Sequence, residues 1–300
     1  MTPLRPLLDR RAGAAVMGIL NRTPDSFSDG GRFVDDGAAG AQIDAMIDEG
    51  AVIIDIGAES TQPGATAISA TEQLARLGGV VAAAAARGVL VSIDTTSPEV
   101  AARALRDGAR MVNSVSLEPA AELGALAAAH GASLVLMHSR GAMADMPAFS
   151  SYPDDAYTDV VADVAREWSL AADRALRAGL PREDLVLDPG LGFFKNARHS
   201  LELCARLEEL AALGFPVLVG PSRKSFVARA AGEEPPAPAH RRLGGSLAVA
   251  LACVERGAAI VRAHDVAETR QALAVAAALR ALGKRPRPAP RAEEGRPRHA

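Results

Sequence analysis

Eight short apolar runs punctuate the chain, and after nearly every one comes a polar or glycine-rich stretch and then a helical pattern. The runs are AAVMGIL (14–20), AVIIDIG (51–57), GVLVSIDT (88–95), MVNSVS (111–116), SLVLMH (133–138), LVLDPG (185–190), PVLVGPS (216–222) and AAIVRAH (258–264). Their length, β-branched content and flanking glycines predict strands buried on both faces, as in a parallel sheet. The segments between them predict helices. The clearest lies over 157–177, where Tyr157, Val161, Val164, Trp168, Ala171 and Ala175 recur at spacings of three and four. AAGAQIDAMIDEG and SPEVAARALRDG each end on a glycine suited to the position just past a helix.

Eight strand-then-helix units predict an α/β fold, a (β/α)8 TIM barrel of eight parallel strands with surrounding helices; an open doubly wound sheet is the alternative. The barrel is expected over 14–282, after an N-terminal segment at 1–13. The tail at 283–300, rich in proline and charge, is expected to be disordered. GEEPPAPAH (232–240) is expected to be a mobile insertion after the seventh strand.

Bulk composition narrows the partners more than the fold. A chain of 300 residues suits one barrel, which takes roughly 250. A formal net charge of −3 gives no reason to expect nucleic acid. No run approaches the roughly 18 apolar residues that a membrane helix needs. The opening basic and apolar stretch leads into NRTPDSFSDGG without a small-residue cleavage site, so neither membrane insertion nor secretion is expected. Cys204 and Cys253 fall in helical patterns, which predicts core positions and fits a reducing cytoplasm.

The polar residues at the ends of the runs carry the chemistry. Asn21, Asp55, Asp94, Asn113, His138, Asp188, Lys224 and the pair Arg262 and His264 would surround one mouth of a barrel, where active sites of this fold lie. Alternation along a strand sends Arg262 and His264 to the same face, a pattern that suits an anion clamp or a salt-bridged strand end. Asp94, Asn113 and Asp188 offer acceptors and an amide suited to the edge of an amino-pyrimidinone ring. Lys224, Arg262 and His264 supply charge or donors for an anionic portion. Asp55 reads as a core hydrogen-bonding group, and Asp94 has the alternative of capping the next helix. Two long polar loops, NRTPDSFSDGGRF (21–33) and GAESTQPGATAIS (57–69), are candidate lids. The glycines of DPGLGFFK suit a tight turn beside the ring pocket.

As a set these motifs resemble the dihydropteroate synthases. The matching stretches are MGILNRTPDSFSDGG, IDIGAESTQPGA, VSIDTTSPEVA, MVNSVS, LVLMHSRG, LVLDPGLGFFK, VLVGPSRKSF and IVRAHD, in the family's order over about 15–270. The resemblance implies a transferase of folate biosynthesis and a sulfonamide target. It would join 6-hydroxymethyl-7,8-dihydropterin diphosphate to 4-aminobenzoate, giving 7,8-dihydropteroate and diphosphate. It implies that Asp94, Asn113, Asp188 and Lys224 hold the pterin and that Arg262 and His264 take the diphosphate, with Lys224, Arg262 and His264 as the catalytic set. Asn21 becomes the ligand of a Mg²⁺ shared with the diphosphate. Phe27, Thr61, Pro63, Phe193 and Ser225 become the surroundings of aminobenzoate. The partners implied are these small molecules and, by family resemblance, a second copy in a homodimer.

The sequence departs from that family at several points. Gln62 stands where an arginine is usual, Ala58 where a glycine is, and Ser114 where an aspartate is; Arg22 and Ser97 also differ. A neutral amide cannot replace a bidentate guanidinium, and Arg22 is a candidate to compensate from the neighbouring loop. The competing readings are a pterin-binding paralogue of low or no activity, a methyltetrahydrofolate–corrinoid methyltransferase, and, from the residues alone, a Schiff-base aldolase using Lys224.

Overall fold

Alternation along each apolar run sorts its side chains into two separate cores, and this sorting shapes the molecule. The computed structural model describes residues 4–9, 13–22, 36–60, 66–141, 143–146, 148 and 150–283. Eight strands form within them: β1 (Ala15–Asn21), β2 (Ile53–Gly57), β3 (Leu90–Asp94), β4 (Met111–Ser114), β5 (Ser133–Met137), β6 (Leu185–Asp188), β7 (Val217–Val219) and β8 (Ala258–Ala263). They pair in sequence order, all parallel, and β8 returns to β1, closing the barrel. Closure excludes the open-sheet alternative.

One set of alternate residues, among them Met17, Ile53, Leu90, Met111, Val135, Val186, Leu218 and Ile260, fills the barrel interior. The other set, including Val16, Ile54, Val91, Leu134 and Val261, packs outward against the helices. The segment before β1, which carries no strand or helix signal in the sequence, contributes a short helix, Leu4–Asp9, whose Leu4 is fully buried in the interior cluster and closes the base.

The helix predicted over 157–177 runs from Val160 to Arg177. It starts later because Asp159 caps it, accepting from the Val161 and Ala162 N–H groups at 2.9 and 3.1 Å. Trp168, on its inner face, donates to the Leu136 carbonyl of β5 at 2.9 Å and fixes the helix to the barrel. The predicted glycine stops hold: Gly50 and Gly108 have φ of 101° and 110°. Cys204 and Cys253 are buried in helices, unpaired by disulfide. Among the described residues no helix is long and apolar enough to cross a membrane. The expected disordered tail lies outside the described residues from 284 onward, and the last helix, Val266–Gly283, ends just before it.

Candidate active site

The interior turns polar toward the C-terminal ends of the strands. Strand register sets Gly57 beside Asp94 and Asp94 beside Asn113. Below this layer lies Asp55, completely buried, as the sequence reading of a core hydrogen-bonding group requires. Arg262 crosses the barrel from β8 and joins these groups. Its Nε donates to Asp55 Oδ2 at 2.6 Å and its Nη2 to Asp94 Oδ2 at 2.9 Å, while Asn113 Nδ2 donates to the same Asp55 oxygen at 3.0 Å. Ser97, not Asp94, caps the helix Pro98–Arg106. Capping therefore does not account for Asp94.

The electrostatics follow from crowding in a low-dielectric site. Burial, and next the Asp55 charge, push the Asp94 carboxyl up to about 7 against the pull of Arg262. Burial works against the Arg262 charge, but Asp55 and Asp94 outweigh it and its pKa rises. Asp188 is buried at the end of β6 and raised by burial, opposed first by Lys224. One of its oxygens accepts the Gly190 N–H at 2.8 Å.

Lys224 follows β7 through a turn in which Arg223 adopts a left-handed φ of 59°. The turn sends the three side chains of Ser222-Arg223-Lys224 to different partners. Ser222 Oγ lies 3.0 Å from His264 Nδ1, Arg223 pairs with Asp265 at 2.5 Å, and Lys224 Nζ donates to the Leu191 carbonyl while sitting 4.2 Å from the Phe193 ring centre. Burial lowers Lys224 to about 8, with Asp188 opposing. His264 stands at the rim with its ring crowded by protein atoms. Desolvation, then Arg262 and Arg223, hold it down to about 4, so it is a neutral imidazole at neutral pH.

The structure thus brings Asp94, Asn113, Asp188, Lys224, Arg262, His264 and Phe193 to one mouth. Asn21 ends β1 at the same rim and is exposed. Ser225 begins the next helix, its Oγ 3.0 Å from Ser150 Oγ. Phe27, Thr61, Pro63 and Gln62 lie outside the described residues, as do most of the two expected lids.

One expectation needs correction, and a second is placed differently. His138, counted among the mouth residues, lies one position past β5 and so points outward, where its Nε2 meets Glu167 Oε2 of the helix Val160–Arg177 at 3.0 Å. Arg22, the candidate to compensate for Gln62, is engaged away from the mouth among the described residues, and Gln62 lies outside them. Arg22 also follows an inward residue and points away from the mouth, 3% exposed, with Nη2 on Asp36 at 2.6 Å and Nε on the Arg76 carbonyl at 3.0 Å. Arg22→Val is therefore expected to lower stability by about 1–3 kcal/mol, since it removes a buried, charge-assisted network. It should leave the KM for the anionic substrate within about twofold, and a tenfold rise would show that Arg22 reaches that substrate.

Sequence reasoning missed one group altogether. Lys195, the last residue of DPGLGFFK, is 1% exposed. Its only signal was a lysine directly after two phenylalanines in a glycine turn.

The pterin binding enzyme family matches this chain over residues 17–264. The chain belongs to that family. A dihydropteroate synthase of Synechocystis is 43% identical over 268 residues, covering 88% of this chain and 89% of the relative. A probable bifunctional folylpolyglutamate synthase/dihydropteroate synthase of Haloferax volcanii is 45% identical over 89% of this chain, which spans 31% of that longer protein. Among solved structures, a Xanthomonas albilineans dihydropteroate synthase with 4-aminobenzoic acid superposes with a TM-score of 0.81 at 39% identity, covering 93% of this chain and 95% of its own. Membership of the pterin-binding enzymes gives the acceptor-lined mouth a flat heterocycle to read, and removes the Schiff-base aldolase as a reading of Lys224.

Proposed function

We propose that this chain is a dihydropteroate synthase, a transferase of folate biosynthesis that condenses 6-hydroxymethyl-7,8-dihydropterin diphosphate with 4-aminobenzoate and releases diphosphate. One observation carries the reading: the direct 2.9 Å bond between Arg262 and Asp94, which sets the ring-reading acceptors against the cationic groups within the span of one small molecule.

In this reading the buried Asp188 carboxylate accepts two parallel N–H bonds from the amino-pyrimidinone edge, and Asn113 and Asp94 complete the recognition of the ring. Arg262 keeps Nη1 outside its bonds to Asp55 and Asp94, so that nitrogen faces the departing diphosphate while Nε and Nη2 hold the guanidinium still. Lys224 and His264 add a cation and a donor beside it. Carbon–oxygen cleavage leaves a cation that the electron-rich pterin ring delocalises. The enzyme's main contribution is preorganised charge on the leaving group, together with exclusion of water. The aniline nitrogen attacks the methylene carbon and gives up its proton afterwards, so no general base is assigned. Phe193 and Ser225 are proposed to line the aminobenzoate side, with Phe27, Thr61 and Pro63 from the long loops.

Mg²⁺ is part of the proposal. Among the described residues no group of three or more His, Cys, Asp or Glu could hold a metal. The exposed Asn21 offers a single hard oxygen, which fits an ion held mainly by diphosphate oxygens and water. Bound there, Mg²⁺ would neutralise charge on the leaving diphosphate.

The deciding experiment measures diphosphate release with both substrates and Mg²⁺, with and without 4-aminobenzoate. Release that depends on 4-aminobenzoate supports the synthase, and pterin binding without release supports the low-activity paralogue. The pH profile adds a second check. Asp94 must be ionised to accept, and takes a proton below about 7; Lys224 must be charged, and loses its proton above about 8. Hence kcat/KM is expected to peak between these values and fall about tenfold per pH unit on either side. Lys224→Arg should abolish the alkaline limb alone, and an alkaline limb that survives it belongs to another group.

A homodimer is also proposed. Val275, Leu279 and Leu282 lie on one face of the helix Val266–Gly283 and are 55%, 65% and 58% exposed, an apolar stripe that a second copy would cover. Leu279→Glu is expected to convert a dimer to a monomer in sedimentation equilibrium. A monomeric unsubstituted chain would remove the proposal.

A further inference from the structure

Lys195 is among the largest fully buried side chains of the protein, yet its ammonium touches no carboxylate. It donates instead to His138 Nδ1 at 3.0 Å, to the His138 carbonyl at 3.2 Å and to the Phe193 carbonyl at 3.1 Å. Two of these acceptors belong to the end of β5 and one to the loop after β6, so the lysine ties the two segments together. The tie is tight. His138 N–H donates to the Asp188 carbonyl at 2.9 Å, and a Cβ at Gly190 would come within 2.1 Å of the His138 carbonyl oxygen.

A buried lysine is costly to keep charged, and the surroundings offer its nitrogen three acceptors in place of a counter-ion. Because Lys195 donates to Nδ1, the proton of a neutral His138 sits on Nε2 and is given to Glu167, whose carboxylate Arg140 grips from the other side. Burial and the Lys195 charge hold His138 near 4, which keeps Nδ1 free to accept. The charged groups around Lys195 are Asp188, Lys224, Arg140 and Glu167. Burial brings Lys195 itself down to about 7, and Asp188 opposes that fall.

The loop that Lys195 anchors is the one that places Lys224. Phe193 presents its ring to Lys224 Nζ, the Leu191 carbonyl accepts from the same Nζ, and Phe194 is held at a left-handed φ of 47°. A left-handed phenylalanine persists only where its surroundings over-determine it. Here Tyr157 Oη donates to the Phe194 carbonyl at 3.1 Å on one side, and Lys195 holds the Phe193 carbonyl on the other.

We propose that Lys195 is a positioning residue, a buried lysine whose hydrogen bonds lock the loop from Gly190 to Phe194 so that Phe193 and the Leu191 carbonyl fix Lys224 at the junction of the pterin and aminobenzoate sites. The inference rests on the condensation reading above and adds to it a residue that touches neither substrate.

The test uses the full chain carrying Lys195→Met, with its fold checked by circular dichroism and melting, and assays the unsubstituted chain first. The KM for 4-aminobenzoate is expected to rise about tenfold or more, because Phe193 loses its anchor, while the affinity for the pterin diphosphate stays within about threefold. The alkaline limb of kcat/KM should stay near pH 8, since Lys195, lowered to about 7, is already largely neutral where Lys224 gives up its proton. A folded Lys195→Met chain with an unchanged KM for 4-aminobenzoate overturns the proposal, and so does an equal loss for both substrates. If Lys195→Met does not fold, Glu167→Gln decides: weakening the His138 partner should raise the 4-aminobenzoate KM by about threefold, and an unchanged KM overturns the proposal. An unsubstituted chain that releases no diphosphate overturns the condensation reading, and this inference with it.

Discussion

Arg262→Met is expected to lower stability by about 3–5 kcal/mol and to reduce turnover by about a thousandfold or more. The arginine is the sole cation bonded to Asp55 and Asp94 among the described residues, and both carboxylates lie in the barrel interior. Methionine fills much of the volume but leaves two acids facing each other without compensation. The sign of the pH dependence follows from Asp94. Its carboxyl already lies at about 7 in the fold against an ordinary 3.8, so the native state binds more protons than the unfolded chain between these limits. Stability from this group is therefore lost as pH rises through that window. Removing Arg262 raises the carboxyl further, so the variant should be much weaker relative to the parent at pH 8 than at pH 5. Urea titrations at the two pH values check this. An equal loss at both would mean that Arg262 acts through packing and not through charge.

Asp188→Asn is expected to lower pterin affinity and kcat/KM by about a hundredfold to a thousandfold, with the fold intact. An amide is nearly the same shape, and its oxygen can still accept the Gly190 N–H that now bonds Asp188 at 2.8 Å. What it cannot do is accept two parallel N–H bonds from a ring edge, because one of its two groups is a donor. A second effect distinguishes charge from shape. Asp188 holds up the pKa of both Lys224 and Lys195. Its neutralisation should move the alkaline limb of the remaining activity below about 8, whereas Lys195→Met leaves it in place. Calorimetric titration with 6-hydroxymethylpterin and a kcat/KM profile test the two parts separately. Unchanged pterin affinity would take Asp188 out of the ring site.

The barrel was legible because strands buried on both faces leave unbroken apolar runs, and eight such runs with helices between them admit few topologies. The mouth was legible for a related reason. A charge such as Arg262 or Asp188 at the end of an apolar strand has few structural explanations, and register brings all eight strand ends together. Positions just beyond a strand were harder. His138 follows β5 directly, so the turn of a single residue decides between mouth and outer wall, and the apolar run cannot mark where the strand stops. Arg22 follows β1 in the same way, and its side chain turns to Asp36. Lys195 was illegible because two of its three acceptors belong to His138, 57 residues away, and nothing in GFFK distinguishes a buried lysine from an exposed one. The pairing of Arg262 with Asp94, which ties the two halves of the site, is likewise a contact across 168 residues that no local pattern contains.

The base of the barrel has a consequence for how the molecule is assembled. Leu4 and Ile260 share the interior cluster, from opposite ends of the described chain. Contacts so remote in sequence close long loops, so seating the plug and joining β8 to β1 both carry a high entropic toll. A chain with so many remote pairings leaves apolar strand surface uncovered until they form, which is when a protein of this size is most open to aggregation.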